Sequence, residues 1–155
     1  MNGRIELRVN GRLRGVAVGA ITLLEALREE LRLTGAKRGS NQGVCGACTV
    51  LLDDRPVRAC LTLAADCAGR EVVTVEGLAD GDRLNPVQAA LESAVAVQCG
   101  FCTPGIVVVA TAFLARHPRP TLDEVRGALS GNLCRCSGYR AIVEAIHGAA
   151  AESNR

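Results

Sequence analysis

The apolar and polar positions fall into two halves with different periods. Ile5-Glu6-Leu7-Arg8-Val9 alternates, the two-residue period of a strand with one buried face. Asn10-Gly11 follows, a pair suited to a tight hairpin turn, and residues 12–18 carry a second, weaker alternation. Thr22-Leu23-Leu24-Glu25 reads as a reciprocal helix cap, in which Thr22 accepts from the backbone and Glu25 reaches back. Leu23, Leu24, Leu27 and Leu31 share one face of the helix it starts. Residues 34–48 lose the periodicity, and Gly35, Gly39, Gly43 and Gly46 punctuate a loop that carries Cys45 and Cys48. Residues 49–52 predict a strand, Asp53-Asp54 a turn, residues 56–63 a returning strand and residues 71–75 a last short one. Two hairpins, one helix and a closing strand predict an α+β domain of β-grasp type over residues 1–77.

The second half changes to helical spacing. Val87, Ala90, Leu91, Ala94 and Val95 follow Pro86. Thr103 is the expected N-cap of the next helix, with Pro104 at its first position. The β-branched run at 106–109 suits either a strand or a buried helix, and its apolar continuation to Leu114 favours the helix. Thr121-Leu122-Asp123-Glu124 repeats the capping pattern, with Leu122, Val125 and Leu129 behind it. Tyr139, Ile142, Val143 and Ile146 mark a fourth helix. Four helices with short connections predict a small bundle over residues 78–155, with the boundary inside residues 77–85. There is no internal repeat.

Composition adds a constraint. Apolar residues make up 48% of the 155 residues, but there are two Phe, one Tyr and no Trp, and eight residues are Cys. Two small domains would each have a thin core, of the kind that disulfides or bound metal usually supplement. The apolar run at residues 105–115 is broken by Thr111 and falls short of the roughly 20 residues that span a membrane. Residues 1–10 carry Arg4, Glu6 and Arg8 in place of an apolar stretch, so no secretory signal is expected. The expected location is cytoplasmic, with export only in complex with a partner. In that setting eight Cys point to metal or redox chemistry rather than disulfides. The net charge is +2, from 17 Arg and Lys37 interspersed with acids, which gives no reason to expect nucleic acid.

The cysteines fall into sets. Cys99-Gly100-Phe101-Cys102 and Cys134-Arg135-Cys136 both lie in breaks between predicted helices, where a bundle can bring four thiolates together. A helix N-terminus at Pro104 would favour their ionised form. The single-residue spacer in Cys134–Cys136 is tight for a zinc knuckle, whereas a two-iron cluster with two thiolates on each iron accepts it. In the first half, Cys45-x2-Cys48 precedes Cys60. The plant-type [2Fe–2S] pattern is Cys-x4-Cys-x2-Cys with a remote fourth Cys. The position five before Cys45 is Ser40.

Three stretches carry a family resemblance. Gly39-Ser40-Asn41-Gln42-Gly43-Val44-Cys45-Gly46-Ala47-Cys48-Thr49-Val50 resembles the ferredoxin loop of the xanthine oxidase family of molybdenum hydroxylases, apart from Ser40. Gln98-Cys99-Gly100-Phe101-Cys102-Thr103-Pro104-Gly105 resembles that family's second signature, and Asn132-Leu133-Cys134-Arg135-Cys136-Ser137-Gly138-Tyr139 its third. The likeness covers roughly residues 4–150, in order and with the right gaps. The length resembles the free-standing small subunit, of the carbon monoxide dehydrogenase type. The resemblance implies a plant-type ferredoxin domain followed by a helical iron–sulfur domain, with two [2Fe–2S] clusters. It implies a proximal cluster on Cys99, Cys102, Cys134 and Cys136, and a distal one on Cys45, Cys48, Cys60 and the Ser40 position. It also implies a large molybdopterin-binding subunit, approached by Gln98 and Cys136, and a medium FAD-binding subunit. Single electrons would pass from the molybdopterin subunit to the flavin or another acceptor, and substrate chemistry would lie outside this chain.

Ser40 leaves three readings: its oxygen is the fourth ligand, a rearranged loop recruits Cys67, or the distal cluster is lost. The intact Gly39, Gly43, Gly46 and Ala47 loop argues against the third, since a lost site would have no need of those backbone positions. Cys67 also reads simply as a small buried apolar residue. His117 and His147 lie away from the Cys sets, Tyr139 reads as core, and Arg135 as an exposed arginine. Two other functions compete: a free-standing ferredoxin-like shuttle, which would usually be more acidic, and a zinc-stabilised interaction module.

Overall fold

The computed structural model describes residues 3–17, 19 and 21–152. Five strands form one sheet in the order β2-β1-β5-β3-β4. Strands β1 (Arg4–Val9) and β2 (Arg12–Ala17) make the first hairpin, with Arg4 opposite Ala17. Val18, in the expected second strand, lies outside the described residues. Asn10 and Gly11 both take positive φ (50° and 73°), the twist that a two-residue hairpin requires. Asp53 and Asp54 do the same (49° and 61°) between β3 (Thr49–Leu52) and β4 (Arg55–Arg58). Strand β5 (Glu71–Val73) pairs parallel to β1 and antiparallel to β3, closing the sheet at its centre.

Helix α1 begins at the expected cap and runs Leu23–Glu25, then widens into a π-helical stretch at Ala26–Glu30. Thr22 and Glu25 exchange both capping bonds. Leu23, Leu24, Leu27 and Leu31 are buried against Leu7, Val9, Val16, Val50 and Val72 from the sheet.

Four helices follow: α2 (Pro86–Ser93), α3 (Thr103–Arg116), α4 (Leu122–Ala128) and α5 (Arg140–Glu152). The β-branched run at 106–109 is helical, and Ile106, Val107, Val108 and Val109 are all buried in α3. Ile106, Val107 and Val109 pack with Val87, Leu91, Val125, Leu129, Ile142, Val143 and Ile146 in a second core. A third cluster of Leu51, Val108 and Ala112 lets α3 rest on the sheet.

Several expectations change. The returning strand after Asp53-Asp54 is only Arg55–Arg58, because the chain then turns toward Cys60, and β5 stops at Val73 before a short 3-10 turn. Thr103 is not the cap of α3: Cys102 takes that place without a side-chain bond, and Thr103 is already helical. Val95 does not continue α2; it turns out of the helix with φ of 49° and is 82% exposed.

Candidate metal centres

The first donor set lies in the loop before β3 and the turn after β4. Cys48 and Cys60 are buried, with their sulfurs 3.3 Å apart. Two sulfurs bound tetrahedrally at about 2.3 Å to one metal would stand about 3.8 Å apart, against about 2.05 Å for a disulfide. The contact is therefore no disulfide but a close pair of thiols, and all eight Cys are free of disulfides. Ser40 pairs with Cys45. Its N–H donates to Cys45 Sγ at 3.2 Å, and its Oγ accepts from the Cys45 N–H at 3.2 Å and from the Gln42 N–H at 3.5 Å.

Cys67 behaves as the small apolar residue that the sequence also allows. It is fully buried in the sheet core, its Sγ faces the Leu63 carbonyl at 3.6 Å, and burial raises its pKa. The charges that act on it come from Arg70, Asp66 and Asp53.

The second set joins two loops, from α2 to α3 and from α4 to α5. Cys99 and Cys136 are exposed with their sulfurs 3.4 Å apart, while Cys102 and Cys134 are half-buried and interact through their side chains. Gln98, expected beside this set, donates its amide to the Cys136 carbonyl at 3.2 Å. Among the described residues, no three His, Cys, Asp or Glu side chains converge to hold one ion. The donors come in twos, which suits a two-iron cluster better than a mononuclear zinc site. Among these contacts His117, which stacks on Phe113 at 4.6 Å, is remote from both sets, and Arg135 is exposed.

Metal ligation requires ionised thiols, and local dipoles favour that form at Cys45, Cys99 and Cys134 but not at Cys48, Cys102 and Cys136. Burial opposes it at Cys134, but the Ser137 hydroxyl and N–H outweigh burial and bring its pKa down to about 7. Burial and the bond to Cys134 push its neighbour Cys102 up to about 12. The Phe101 N–H lowers Cys99, and its partner Cys136 is raised in return by their shared bond. At Cys45, burial is again overcome by hydrogen bonds from Ser40, whereas burial drives Cys48 up to about 11.

Side chains without a metal-ligand signature hold the two sets together. Asn132, only 2% exposed, donates to the Gly46 carbonyl at 3.0 Å, and Leu133 N–H donates to the Cys45 carbonyl at 2.8 Å. Arg58 clamps Thr49 Oγ1 and the Gly131 carbonyl, each at 2.6 Å. Gly46 (φ 73°) and Gly105 allow this approach: a Cβ on Gly105 would lie 2.3 Å from the Gly46 carbonyl oxygen. Tyr139 is not only core: its hydroxyl accepts from the Cys134 N–H at 2.7 Å and donates to the Asn132 carbonyl at 3.1 Å. Its place five residues past Cys134, beside a glycine, was the available signal.

Residues 74–147 match a family model described as a [2Fe-2S] binding domain. The nicotine 6-hydroxylase small subunit of Paenarthrobacter nicotinovorans is 55% identical over 143 residues, 92% of this chain and 86% of that protein. The xanthine dehydrogenase iron-sulfur-binding subunit of Escherichia coli O157:H7 is 47% identical over 145 residues, 92% of this chain and 91% of that one. The crystal structure of quinoline 2-oxidoreductase from Pseudomonas putida 86 contains a chain with 48% identity and a TM-score of 0.94. That match covers 98% of this chain and 95% of the other.

Proposed function

This chain belongs to the small iron–sulfur subunits of the molybdenum hydroxylases, the xanthine oxidase family, and we propose that it relays single electrons through two [2Fe–2S] clusters between a molybdopterin subunit and a flavin subunit. The observation that carries the two-cluster reading is the direct bond between the two donor loops, from Leu133 N–H to the Cys45 carbonyl. Two pairs of donors stand on each side of that junction. Cys99 with Cys136 and Cys102 with Cys134 would hold the proximal cluster. Cys48 with Cys60 and Ser40 with Cys45 would hold the distal one. Ser40 Oγ, rather than Cys67, is the fourth distal donor in this reading, because two N–H groups converge on that oxygen while Cys67 Sγ is engaged within the core. When bound, each cluster supplies a site that takes up and gives back one electron.

In the same reading, residues 1–77 are a plant-type ferredoxin domain of β-grasp form, supported by the parallel β1–β5 pair at the sheet centre. Residues 78–155 are a helical domain built on α2 to α5. The exposed thiols Cys99 and Cys136 mark the face turned to the molybdopterin subunit. Gln98 is fixed there by its bond to Cys136. Val97, Phe101 and Leu133, exposed in the same two loops, supply the apolar contact. The chain itself then holds no substrate group; it is the iron–sulfur part of an oxidoreductase.

Anaerobic purification with iron quantitation and EPR of the reduced chain tests the proposal. About four irons and two distinct [2Fe–2S] signals per chain are expected, together with co-purification of a molybdenum-containing partner. A colourless chain that holds zinc would overturn it, and a single cluster signal would remove the distal assignment.

A further inference from the structure

One hydroxyl in the loop between α4 and α5 is aimed at a ligand sulfur. Ser137 Oγ lies 3.0 Å from Cys134 Sγ, and the Ser137 N–H donates to the same sulfur at 3.4 Å. The sense of the hydroxyl bond is set by the ionised sulfur. Tyr139 N–H donates to Ser137 Oγ at 3.2 Å and occupies a lone pair there. A metal-bound thiolate carries no proton, so the hydroxyl must be the donor to it. The acceptor is held still as well, because the Tyr139 hydroxyl takes the Cys134 N–H and anchors on the Asn132 carbonyl. Gly138 and Tyr139 both turn through positive φ (66° and 69°), which folds the loop back over Cys134 and closes this ring of bonds.

On the reading that Cys99, Cys102, Cys134 and Cys136 hold a [2Fe–2S] cluster, we propose that Ser137 is a positioning residue that sets that cluster's reduction potential through its hydroxyl bond to Cys134. Reduction adds one electron and no proton, and part of the new negative charge falls on the ligand sulfurs. A donor aimed at one of those sulfurs stabilises the reduced form more than the oxidised one. Cys134 is half-buried, so water competes only partly with that bond. The serine keeps its proton throughout.

The test is a potentiometric titration of the full chain, with dithionite as reductant and the proximal EPR signal as readout. Ser137→Ala removes the hydroxyl and retains the backbone N–H bond. At a fixed poise it is expected to lower the reduced-to-oxidised ratio about tenfold, a shift of about 59 mV to more negative potential for a one-electron couple. Ser137→Thr restores the donor and is expected to recover the wild-type value. A complete cluster in Ser137→Ala at unchanged potential would overturn the proposal alone. A Cys134→Ala chain that keeps every EPR signal would overturn the cluster assignment and this proposal with it. If Ser137→Ala does not load iron, deuterium-exchange hyperfine spectra of the reduced wild-type chain decide. Backbone N–H groups such as those of Ser137, Cys136 and Phe101 contribute exchangeable couplings in any case; one further coupling, from the Ser137 hydroxyl, supports the proposal, and its absence overturns it.

Discussion

The carbonyl of Cys45 accepts a hydrogen bond from the N–H of Leu133, 2.8 Å away across the junction between the sheet and the helices. Leu133 immediately precedes Cys134, so this bond ties one donor loop to the other through backbone alone. Asn132 reinforces it from a buried position by donating to the Gly46 carbonyl at 3.0 Å. That carbonyl also accepts from the Thr49 N–H and hydroxyl, so Asn132→Ala removes one of three donors and is expected to cost about 1 kcal/mol, the usual net worth of one hydrogen bond. Gly105→Ala should cost about 1–3 kcal/mol, because its new Cβ meets backbone rather than a side chain that can move. Chemical denaturation of the two variants checks both. Wild-type midpoints would mean that the junction contributes nothing to stability.

Ser40 offers a second test. If its Oγ is the fourth distal donor, Ser40→Ala should reduce iron from about four to about two per chain and leave the proximal EPR signal intact. Ser40→Cys should keep about four irons and move the distal potential upward, because a thiolate is a softer donor than an alkoxide and favours ferric iron less. Full iron with an unchanged distal signal in Ser40→Ala would show that the oxygen is not a ligand.

Local chemistry explains which parts of this structure were readable from sequence. Asn10-Gly11 and Asp53-Asp54 specify their turns within two residues, and Thr22/Glu25 and Thr121/Glu124 specify their caps within four. The cysteine spacings likewise placed seven thiols and Ser40 in two sets, and within them the structure pairs Cys48 with Cys60, Cys45 with Ser40, Cys99 with Cys136 and Cys102 with Cys134. Long-range features were not readable. The parallel β1–β5 pair, and the meeting of Gly46 with Gly105 and Asn132, join residues far apart in the chain, and no periodicity marks where two backbones will touch. Thr103 misled because a threonine before a proline imitates a cap, while the chain had already become helical after Cys102.

Three acidic groups should govern stability at low pH. The Thr22 N–H and hydroxyl hold Glu25 below the usual carboxylate range, those of Thr121 do the same for Glu124, and Arg70 with the Glu71 N–H does so for Asp53. Each binds a proton less readily in the folded chain than in the unfolded one. The stability they contribute is therefore complete above the ordinary carboxylate pKa, about 4, and is lost as pH falls through their lowered values. Glu25→Gln combined with Glu124→Gln should lower Tm at pH 6, and the gap from wild type should narrow toward pH 3. Parallel Tm curves across that range would contradict this origin.

Val95 is a β-branched residue in the left-handed region, φ 49°, and 82% exposed. Such a backbone costs about 1–3 kcal/mol, and the folded chain recovers nothing for it by burying the side chain. The side chain borders a groove of about 490 Å³ formed with Leu84, Leu91, Val97 and Val107, next to the loop that carries Cys99. A contact with the molybdopterin subunit would give the exposed valine a use. Val95→Asp replaces it with a residue that tolerates this backbone and places a charge on the apolar face. The isolated variant should keep its iron and lose none of its thermal stability, yet fail to co-purify with the large subunit. If the complex assembled at wild-type yield, the docking face would have to lie elsewhere.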